Sequence, residues 1–252
     1  MVGESSLKRK APFLIATTDR RSRSKEAAIN SILRIGHRGA AGYAPENTLA
    51  GIWKARSLCI DMVEVDVRMT SDGRLVLLHD ETMDRTTNTT GWLRQLSLEQ
   101  VRQLNAGNSE RIPTLEEALE AAGNTLGMVL ELKEAGIGMD AVSVVRRSRF
   151  EETVIYASFL YDELTRVRSA DPTAAVMLLL GEPLHTTSLE GAVTLRASHV
   201  GFSYPTLTPE LVKTCHEAGF VVCAYTVNDP PAIRHVRDLR VDGIISDFPD
   251  RI

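Results

Sequence analysis

The stretch Val63-Glu64-Val65-Asp66-Val67 is the clearest strand in the chain, because valines alternate in it with charged residues. Side chains along a strand alternate between its two faces, so Glu64 and Asp66 point the same way. Two carboxylates this close repel each other and resist burial unless a cation or a proton neutralises their charge. A hard divalent metal ion would supply the cation, and oxygen ligands suit Mg²⁺ or Ca²⁺.

On both sides of this strand, apolar runs of strand length alternate with amphipathic, helix-like segments. The candidate strands are 33–37, 62–68, 127–132, 153–158, 174–180, 198–202, 220–226 and 242–246. Asn47 is predicted as the N-cap of one helix, and Thr208-Pro209 opens another. Thr114 and Glu117 form a predicted capping box. This alternation predicts parallel strands joined by crossover helices, and eight such units fit a (β/α)8 TIM barrel of the α/β class.

The interval after the second predicted strand breaks this rhythm. Ser71-Asp72-Gly73 indicates a turn, and residues 74–79 then predict a short extra strand. A helix-like segment follows at 97–104, with Ser97 as its cap. We therefore predict a small insertion at 80–112 after the second barrel strand, and long ordered loops in this position usually serve a functional face.

The first thirty residues differ in charge from the rest of the chain. They hold seven Lys and Arg against three acids, a balance of +4 in a chain whose net charge is −4. We predict a basic N-terminal extension at 1–30 and a barrel domain at 31–252. The extension is either a solvated, partly flexible tail or a surface that contacts a partner.

Composition excludes several classes of protein. Hydrophobic residues make up 43% of the chain, enough for a sizeable core, yet no run approaches the ~20 apolar residues of a membrane span. The net charge of −4 argues against a nucleic-acid-binding protein. Cys59, Cys215 and Cys223 show neither metal-site spacing nor a disulfide framework, and no signal peptide is visible. We predict a reducing compartment and a cytoplasmic location.

Ionisable residues follow neighbouring strands at their carboxyl ends, where barrels place reactive groups. His37-Arg38 ends the first strand, and Glu131 and Lys133 end the third. His79 follows the extra strand beside them. Taken singly, each histidine could be an ordinary hydrogen-bonding residue, and Glu131 with Lys133 could be a structural ion pair. Their joint placement beside the two carboxylates of the second strand favours a site that processes a polyanion.

Phosphoryl-ester cleavage is the chemistry that uses such a set. A metal ion polarises the phosphate and neutralises developing charge. Arg38 can hold a phosphate oxygen through two hydrogen bonds, and Lys133 adds a point charge. Two histidines can divide the proton transfers, one taking a proton from the nucleophile and one giving a proton to the leaving oxygen.

The chain resembles the glycerophosphodiester phosphodiesterases from about residue 33 to its end. The matching stretches are His37-Arg38-Gly39, Ala44-Pro45-Glu46-Asn47-Thr48, Glu64-Val65-Asp66-Val67, Asp72-Gly73, His79-Asp80, Ile112-Pro113-Thr114-Leu115-Glu116-Glu117-Ala118, Glu131-Leu132-Lys133, Ser158-Phe159, Tyr225-Thr226-Val227-Asn228 and Asp242-Gly243-Ile244-Ile245-Ser246-Asp247-Phe248-Pro249. The resemblance implies a (β/α)8 barrel with the small insertion at 80–112. It also implies hydrolysis of small-molecule glycerophosphodiesters to sn-glycerol 3-phosphate and an alcohol.

The same resemblance implies roles for single residues. It implies one divalent metal ion, Mg²⁺ or Ca²⁺, with these ligands: Glu64, Asp66 and Glu131. His37 and His79 would be the acid/base pair. Arg38 and Lys133 would bind the phosphate. Tyr225 stands where the family often has Trp before Thr-Val-Asn; its ring could still wall the substrate pocket, but its hydroxyl needs a hydrogen-bond partner.

Alternatives stay open at this point. A phospholipase-D-like barrel lyase would expel the alcohol and leave a cyclic phosphate, and product analysis separates it from a hydrolase. A non-catalytic module that binds phosphate ligands would be expected to lack a histidine or a metal ligand, and none is missing. Asp247 could touch substrate or instead cap the barrel closure, and Glu46 is expected at the periphery. The other histidines are interpreted as structural: His185, His199, His216 and His235.

Overall fold

A computed structural model describes residues 32–181 and 186–252 of the chain. Eight parallel strands close into a barrel there, and one antiparallel strand extends the sheet. The predicted (β/α)8 TIM barrel with an insertion after its second strand is confirmed. The extension at 1–30 and His185 lie outside the described residues, so the division of the chain into that extension and a barrel at 31–252 stays a prediction.

The helices and strands of the described ranges alternate along the chain. The strands are β1 (Leu33–Gly36), β2 (Met62–Met69), β3 (Leu75–Leu77), β4 (Gly127–Leu132), β5 (Val154–Ser158), β6 (Ala175–Leu180), β7 (His199–Ser203), β8 (Val221–Tyr225) and β9 (Gly243–Ser246). The α-helices are α1 (Leu49–Ser57), α2 (Leu98–Val101), α3 (Leu115–Ala122), α4 (Gly138–Ser148), α5 (Tyr161–Ala170), α6 (Thr186–Thr194), α7 (Pro209–Glu217) and α8 (Pro230–Asp238). None of these helices is long and apolar enough to cross a membrane.

The barrel closes where β1 pairs in parallel with both of its neighbours. Ile35 lies opposite Ile245 of β9 on one side and opposite Met62 of β2 on the other. β2 then pairs with β4 in a register that sets Asp66 beside Glu131. β3 runs antiparallel to β2 as its hairpin partner. Each barrel strand begins and ends within one residue of its predicted bounds.

Alternation along β2 divides its side chains between two cores. The three valines of β2 pack outward in the apolar layer between the strands and the helices. Met62 belongs instead to the apolar cluster inside the barrel. Glu64 and Asp66 share the parity of Met62, so both carboxylates face inward near the carboxyl end of the strand.

The first helix begins one residue later than its predicted cap implies. Thr48 is the N-cap of α1, and its hydroxyl accepts a hydrogen bond from the backbone N–H of Gly51 at 3.2 Å. Asn47 adopts a left-handed backbone conformation and turns its amide toward Asp66. The cap prediction was wrong because both residues are good caps, and the need of a buried carboxylate for a donor decides between them. The capping box at Thr114 is confirmed.

The insertion at 80–112 packs around an apolar cluster of its own. That cluster contains Val76, Leu78, Met83, Leu93, Val101, Ala106 and Ile112. β3 and α2 are both shorter than predicted, but Ser97 caps α2 and Gln100 completes the capping box. This separate core gives the segment after His79 a fixed support beside the barrel.

His199 lies at the start of β7, buried and 4% exposed. Its Nδ1 is 2.8 Å from the hydroxyl of Ser198, and its Nε2 has no hydrogen-bond partner. Burial lowers the pKa of His199 to about 4, with a weak opposing effect from Asp242. The folded chain therefore resists protonation of this ring, whereas the unfolded chain takes up the proton near pH 6.5.

We expect the folded state to lose stability as the pH falls from about 6.5 toward about 4, because unfolding then takes up a proton at His199. Between about pH 7.5 and about pH 5, the wild-type free energy of unfolding should fall by about 2 kcal/mol more than that of His199→Gln. Urea unfolding of both proteins at the two pH values measures this difference. His235→Gln, on an exposed position of α8, is the control and should behave as wild type. Equal losses in wild type and His199→Gln would contradict the assignment.

Candidate active site

A pocket at the carboxyl ends of the barrel strands brings together side chains from several strands. It has a volume of about 330 Å³ and opens to solvent. His37, Glu64 and Glu131 line its polar side. Its apolar side is lined by Val129, Ala157, Phe159, Leu179, Tyr225 and Ile245. A charged wall facing an apolar one is the usual form of a small-molecule site.

Three carboxylates form the centre of the polar side. One oxygen each of Glu64, Asp66 and Glu131 lies within 4.8 Å of the other two. Glu64 is 3% and Asp66 1% exposed. Strand geometry explains this clustering. Side-chain alternation points Glu64 and Asp66 inward from β2, and the strand register places Glu131 of β4 beside Asp66.

Protein donors satisfy only some of these carboxylate oxygens. The backbone N–H of Arg38 donates to Glu64 Oε2 at 2.8 Å. Asn47 Nδ2 donates to Asp66 Oδ2 at 2.7 Å, and the N–H of Asp66 donates back to Asn47 Oδ1 at 3.0 Å. Lys133 Nζ lies 2.7 Å from Glu131 Oε1 and 3.6 Å from Asp66 Oδ1. Glu64 Oε1 and Asp66 Oδ1 stay buried with no hydrogen-bond partner.

The donor set fits a hard divalent metal ion. Burial, together with the charges of Asp66 and Glu131, raises the pKa of Glu64 well above its ordinary value. Burial and the charge of Asp66 also raise the pKa of Glu131, against the effect of Lys133. Three clustered carboxylates, two of whose buried oxygens accept no hydrogen bond, carry more negative charge than Lys133 and Arg38 neutralise, and oxygen ligands of this kind suit Mg²⁺ or Ca²⁺.

His37 is oriented by a carboxylate from the opposite end of the sequence. Its Nδ1 lies 2.6 Å from Asp247 Oδ1. Asn228 fixes Asp247, since its Nδ2 donates to Oδ2 at 2.6 Å and its Oδ1 accepts the Asp247 N–H at 2.9 Å. Burial alone would raise the pKa of Asp247, but the hydrogen bonds from His37 and Asn228 lower it.

The second ring nitrogen of His37 also has a defined role. Arg38 Nε donates to His37 Nε2 at 3.3 Å. A guanidinium can only donate, so Nε2 accepts at this contact and the ring proton belongs on Nδ1, facing Asp247. The lone pair of His37 Nε2 is therefore engaged by Arg38 in this structure.

His79 has a carboxylate partner of its own. Its Nδ1 lies 2.6 Å from Asp80 Oδ1, and its backbone oxygen accepts from Arg68 Nε at 2.9 Å. The hydrogen bonds that Arg85 and His79 donate hold the pKa of Asp80 well below its usual range. The backbone N–H of Leu78 donates to the backbone oxygen of Asp66 at 3.0 Å, which sets the start of the His79 segment against β2.

Arg38 is held on its outer side by Glu46. Arg38 Nη1 donates to Glu46 Oε1 at 2.7 Å, while Arg38 Nε lies 3.3 Å from Asp66 Oδ2. Burial alone would raise the pKa of Glu46, but the hydrogen bonds from Arg85 and Arg38 outweigh it and lower the pKa. The Arg38 backbone has a φ of +49°, which is uncommon for a non-glycine residue. The residue keeps this conformation while its N–H meets Glu64.

Tyr225 walls the pocket on its apolar side. Its hydroxyl donates to the backbone oxygen of Leu180 at 2.9 Å, which supplies the partner that the sequence required. Its ring makes an edge contact with Phe159, with ring centroids 6.1 Å apart. The polar tip is thus satisfied and the ring faces the pocket.

All eight predicted site residues lie in or around this pocket, and the structure adds partners that the sequence pattern did not assign. Asp247 pairs with His37, Asp80 pairs with His79, and Arg85 reaches both Asp80 and Glu46. Asn47 and Asn228 lie in stretches that carried the family resemblance, and that was a usable signal. Arg85 lies in the insertion, where no periodicity indicated a role.

The chain is similar to known proteins over most of its length. The Glycerophosphoryl diester phosphodiesterase family matches residues 37–251. The glycerophosphodiester phosphodiesterase of Caldanaerobacter subterraneus subsp. tengcongensis is 35% identical over 237 residues, covering 87% of this chain and 96% of that protein. The glycerophosphodiester phosphodiesterase of Bacillus altitudinis is 30% identical, covering 85% and 94%. A solved structure of an Oleispira antarctica phosphodiesterase in complex with the product sn-glycerol-3-phosphate has a TM-score of 0.84 and 29% identity, covering 89% and 96%.

We expect Asn47→Ala to lower the free energy of unfolding by about 2 kcal/mol, because it leaves Asp66 with two lost hydrogen bonds and puts alanine at a positive φ. Asn47→Gly removes the same hydrogen bonds but tolerates the backbone, so its loss should be smaller. Urea unfolding of wild type, Asn47→Ala and Asn47→Gly in excess chelator measures the loss of unfolding free energy in each variant. A loss below about 0.5 kcal/mol in Asn47→Ala would show that Asp66 needs no support from Asn47.

Proposed function

The chain belongs to the glycerophosphoryl diester phosphodiesterase family, and from this premise we propose a metal-dependent, two-histidine mechanism for its reaction. The protein is a phosphodiesterase that hydrolyses glycerophosphodiesters. By analogy with the Oleispira antarctica enzyme, we propose sn-glycerol 3-phosphate as one product, with an alcohol as the other. The observation that carries the mechanism is the largely buried carboxylate triad beside His37 in the pocket, with His79 near enough to interact with Glu131.

The metal ion would be held by Glu64, Asp66 and Glu131. Two of their buried oxygens accept no hydrogen bond, which supports this assignment, and either Mg²⁺ or Ca²⁺ suits oxygen ligands. When bound, the ion would polarise the phosphate and neutralise charge that develops on it. Arg38 and Lys133 would bind the same phosphate, since both already lie against the triad. Tyr225 would pack against the substrate from the apolar wall.

The histidines would have different roles. His37 would act as the general base, because its Nε2 carries the lone pair, which would take a proton once its 3.3 Å contact with Arg38 Nε is released. His79 would act as the general acid that protonates the leaving alcohol. Asp247 and Asp80 would stabilise the positive charge that each ring carries during the cycle, since each accepts from the Nδ1 of its histidine.

We also propose that the protein works in a reducing compartment, in the cytoplasm. The three cysteines of the chain are few and odd in number and show no disulfide spacing, which is typical of such a compartment. The substrate would be a small molecule, in keeping with a concave pocket that has a polar and an apolar side.

We expect excess chelator to abolish release of sn-glycerol 3-phosphate from a glycerophosphodiester, and Mg²⁺, Ca²⁺ or Mn²⁺ to restore it. The same ions should raise the melting temperature of the wild-type protein, because a ligand that binds only the folded state stabilises it. Glu64→Gln should lose most of both responses, since it removes one ligand charge.

Glu120→Gln, an exposed carboxylate on α3, is the control and should respond as wild type does. Full turnover in chelator with no metal bound would contradict the metal site. A cyclic phosphate as the final product would instead favour a lyase.

We expect His37→Ala and His79→Ala each to lower kcat on an alkyl diester by about 10²–10⁴-fold, since each removes a proton-transfer group. A nitrophenyl diester has a leaving group that needs no protonation. His79→Ala should therefore recover on it and His37→Ala should not, as single-turnover rates would show. His235→Ala is the control. Recovery of His37→Ala alone would reverse the two roles, and full activity in both variants would refute them.

A further inference from the structure

Arg85 of the insertion connects two carboxylates at the edge of the site. Its Nε and Nη2 donate to Asp80 Oδ2 and Oδ1 at 2.7 and 3.1 Å. Its Nη1 and Nη2 donate to Glu46 Oε2 and Oε1, both at 2.8 Å. One guanidinium thus holds two carboxylates, each through a pair of hydrogen bonds, which is the strongest geometry for this kind of contact.

Each of these carboxylates is the direct partner of a site residue. Asp80 Oδ1 lies 2.6 Å from Nδ1 of His79, and Glu46 Oε1 lies 2.7 Å from Nη1 of Arg38. Arg85 is therefore one residue removed from both side chains. His79 follows the short strand β3 and Arg38 follows β1. Arg85 therefore links two segments that are separated in sequence.

Arg85 is not suited to bind the substrate itself. Four of the five N–H groups of its guanidinium are used in these hydrogen bonds. Its side chain is 48% exposed. Its charge is thus paired with Asp80 and Glu46, which in turn contact His79 and Arg38.

We propose that Arg85 is a positioning residue that sets His79 and Arg38 in register with each other for the reaction. The planar guanidinium of Arg85 contacts both carboxylates at once. This fixes the distance between His79, the proton donor, and Arg38, the phosphate-binding group. A lysine keeps the charge but cannot make two paired contacts. This inference rests on the proposed function, because the roles of His79 and Arg38 belong to that proposal.

The test compares Arg85→Ala and Arg85→Lys with wild type in the full-length, metal-loaded protein. Removing the outer hydrogen-bond partner of a metal ligand typically costs about 10–100-fold in activity, and we expect a fall of similar size in kcat/KM for Arg85→Ala on an alkyl diester. Arg85→Lys should recover little. A lower kcat would report the displaced His79, and a higher KM would report the displaced Arg38. On the nitrophenyl diester the kcat loss should largely vanish and the KM increase should remain.

Arg102→Ala is the matched control, because Arg102 is an arginine of the same insertion, 41% exposed, that pairs with Glu117 away from the site. It should keep wild-type kinetics. Added guanidinium ion should restore several-fold activity to Arg85→Ala, with no such gain from sodium chloride at equal ionic strength or in Arg102→Ala. A merely structural loss would lower the melting temperature without this rescue.

The outcomes separate the two proposals. A wild-type protein that releases no sn-glycerol 3-phosphate would refute the proposed function. An active wild type with Arg85→Ala within twofold of it, or an impaired Arg85→Ala that guanidinium does not rescue and that loses equally on both substrates, would refute the role of Arg85 alone.

Discussion

Three largely buried carboxylates, with one oxygen of each within 4.8 Å of the other two, determine how the rest of the site is arranged. Like charges so close are unfavourable unless donors and cations surround them. The backbone of Arg38, the amide of Asn47 and the ammonium of Lys133 each meet one of these carboxylates. Arg38 and Asn47 both hold a left-handed backbone while they do so. The loop after β1 therefore takes its shape from the need to satisfy β2.

The two histidines look alike in sequence but differ in their surroundings. Each has an aspartate on Nδ1 at 2.6 Å. Asp247 also accepts a hydrogen bond from the neutral Asn228, whereas Asp80 is also paired with the charged Arg85. Arg38 donates to Nε2 of His37. Two like groups in unlike environments are what acid/base chemistry at a single pH requires, and this difference underlies the separate roles that we propose for them.

The insertion supports the site from outside the barrel. Its own apolar cluster fixes the segment that follows β3, so that Asp80 and Arg85 meet the loop after β1 at set positions. Arg68 adds a second attachment through the backbone oxygen of His79. Barrels commonly place reactive groups on loops that a rigid frame positions, and here the frame includes the insertion as well as the strands.

The alternation of strands and helices is a local pattern and was enough to predict the barrel, since each barrel-strand bound lies within one residue of its prediction. The sequence also determined the inward parity of Glu64 and Asp66, which depends only on the pleat of β2. Tertiary structure alone decided the partners of the site. Asp247 is 210 residues from His37, and Asn47 could have capped a helix but binds Asp66 instead. These pairings depend on distances across the closed barrel and on the need of buried charges for partners. Neither can be derived from a pattern along the chain.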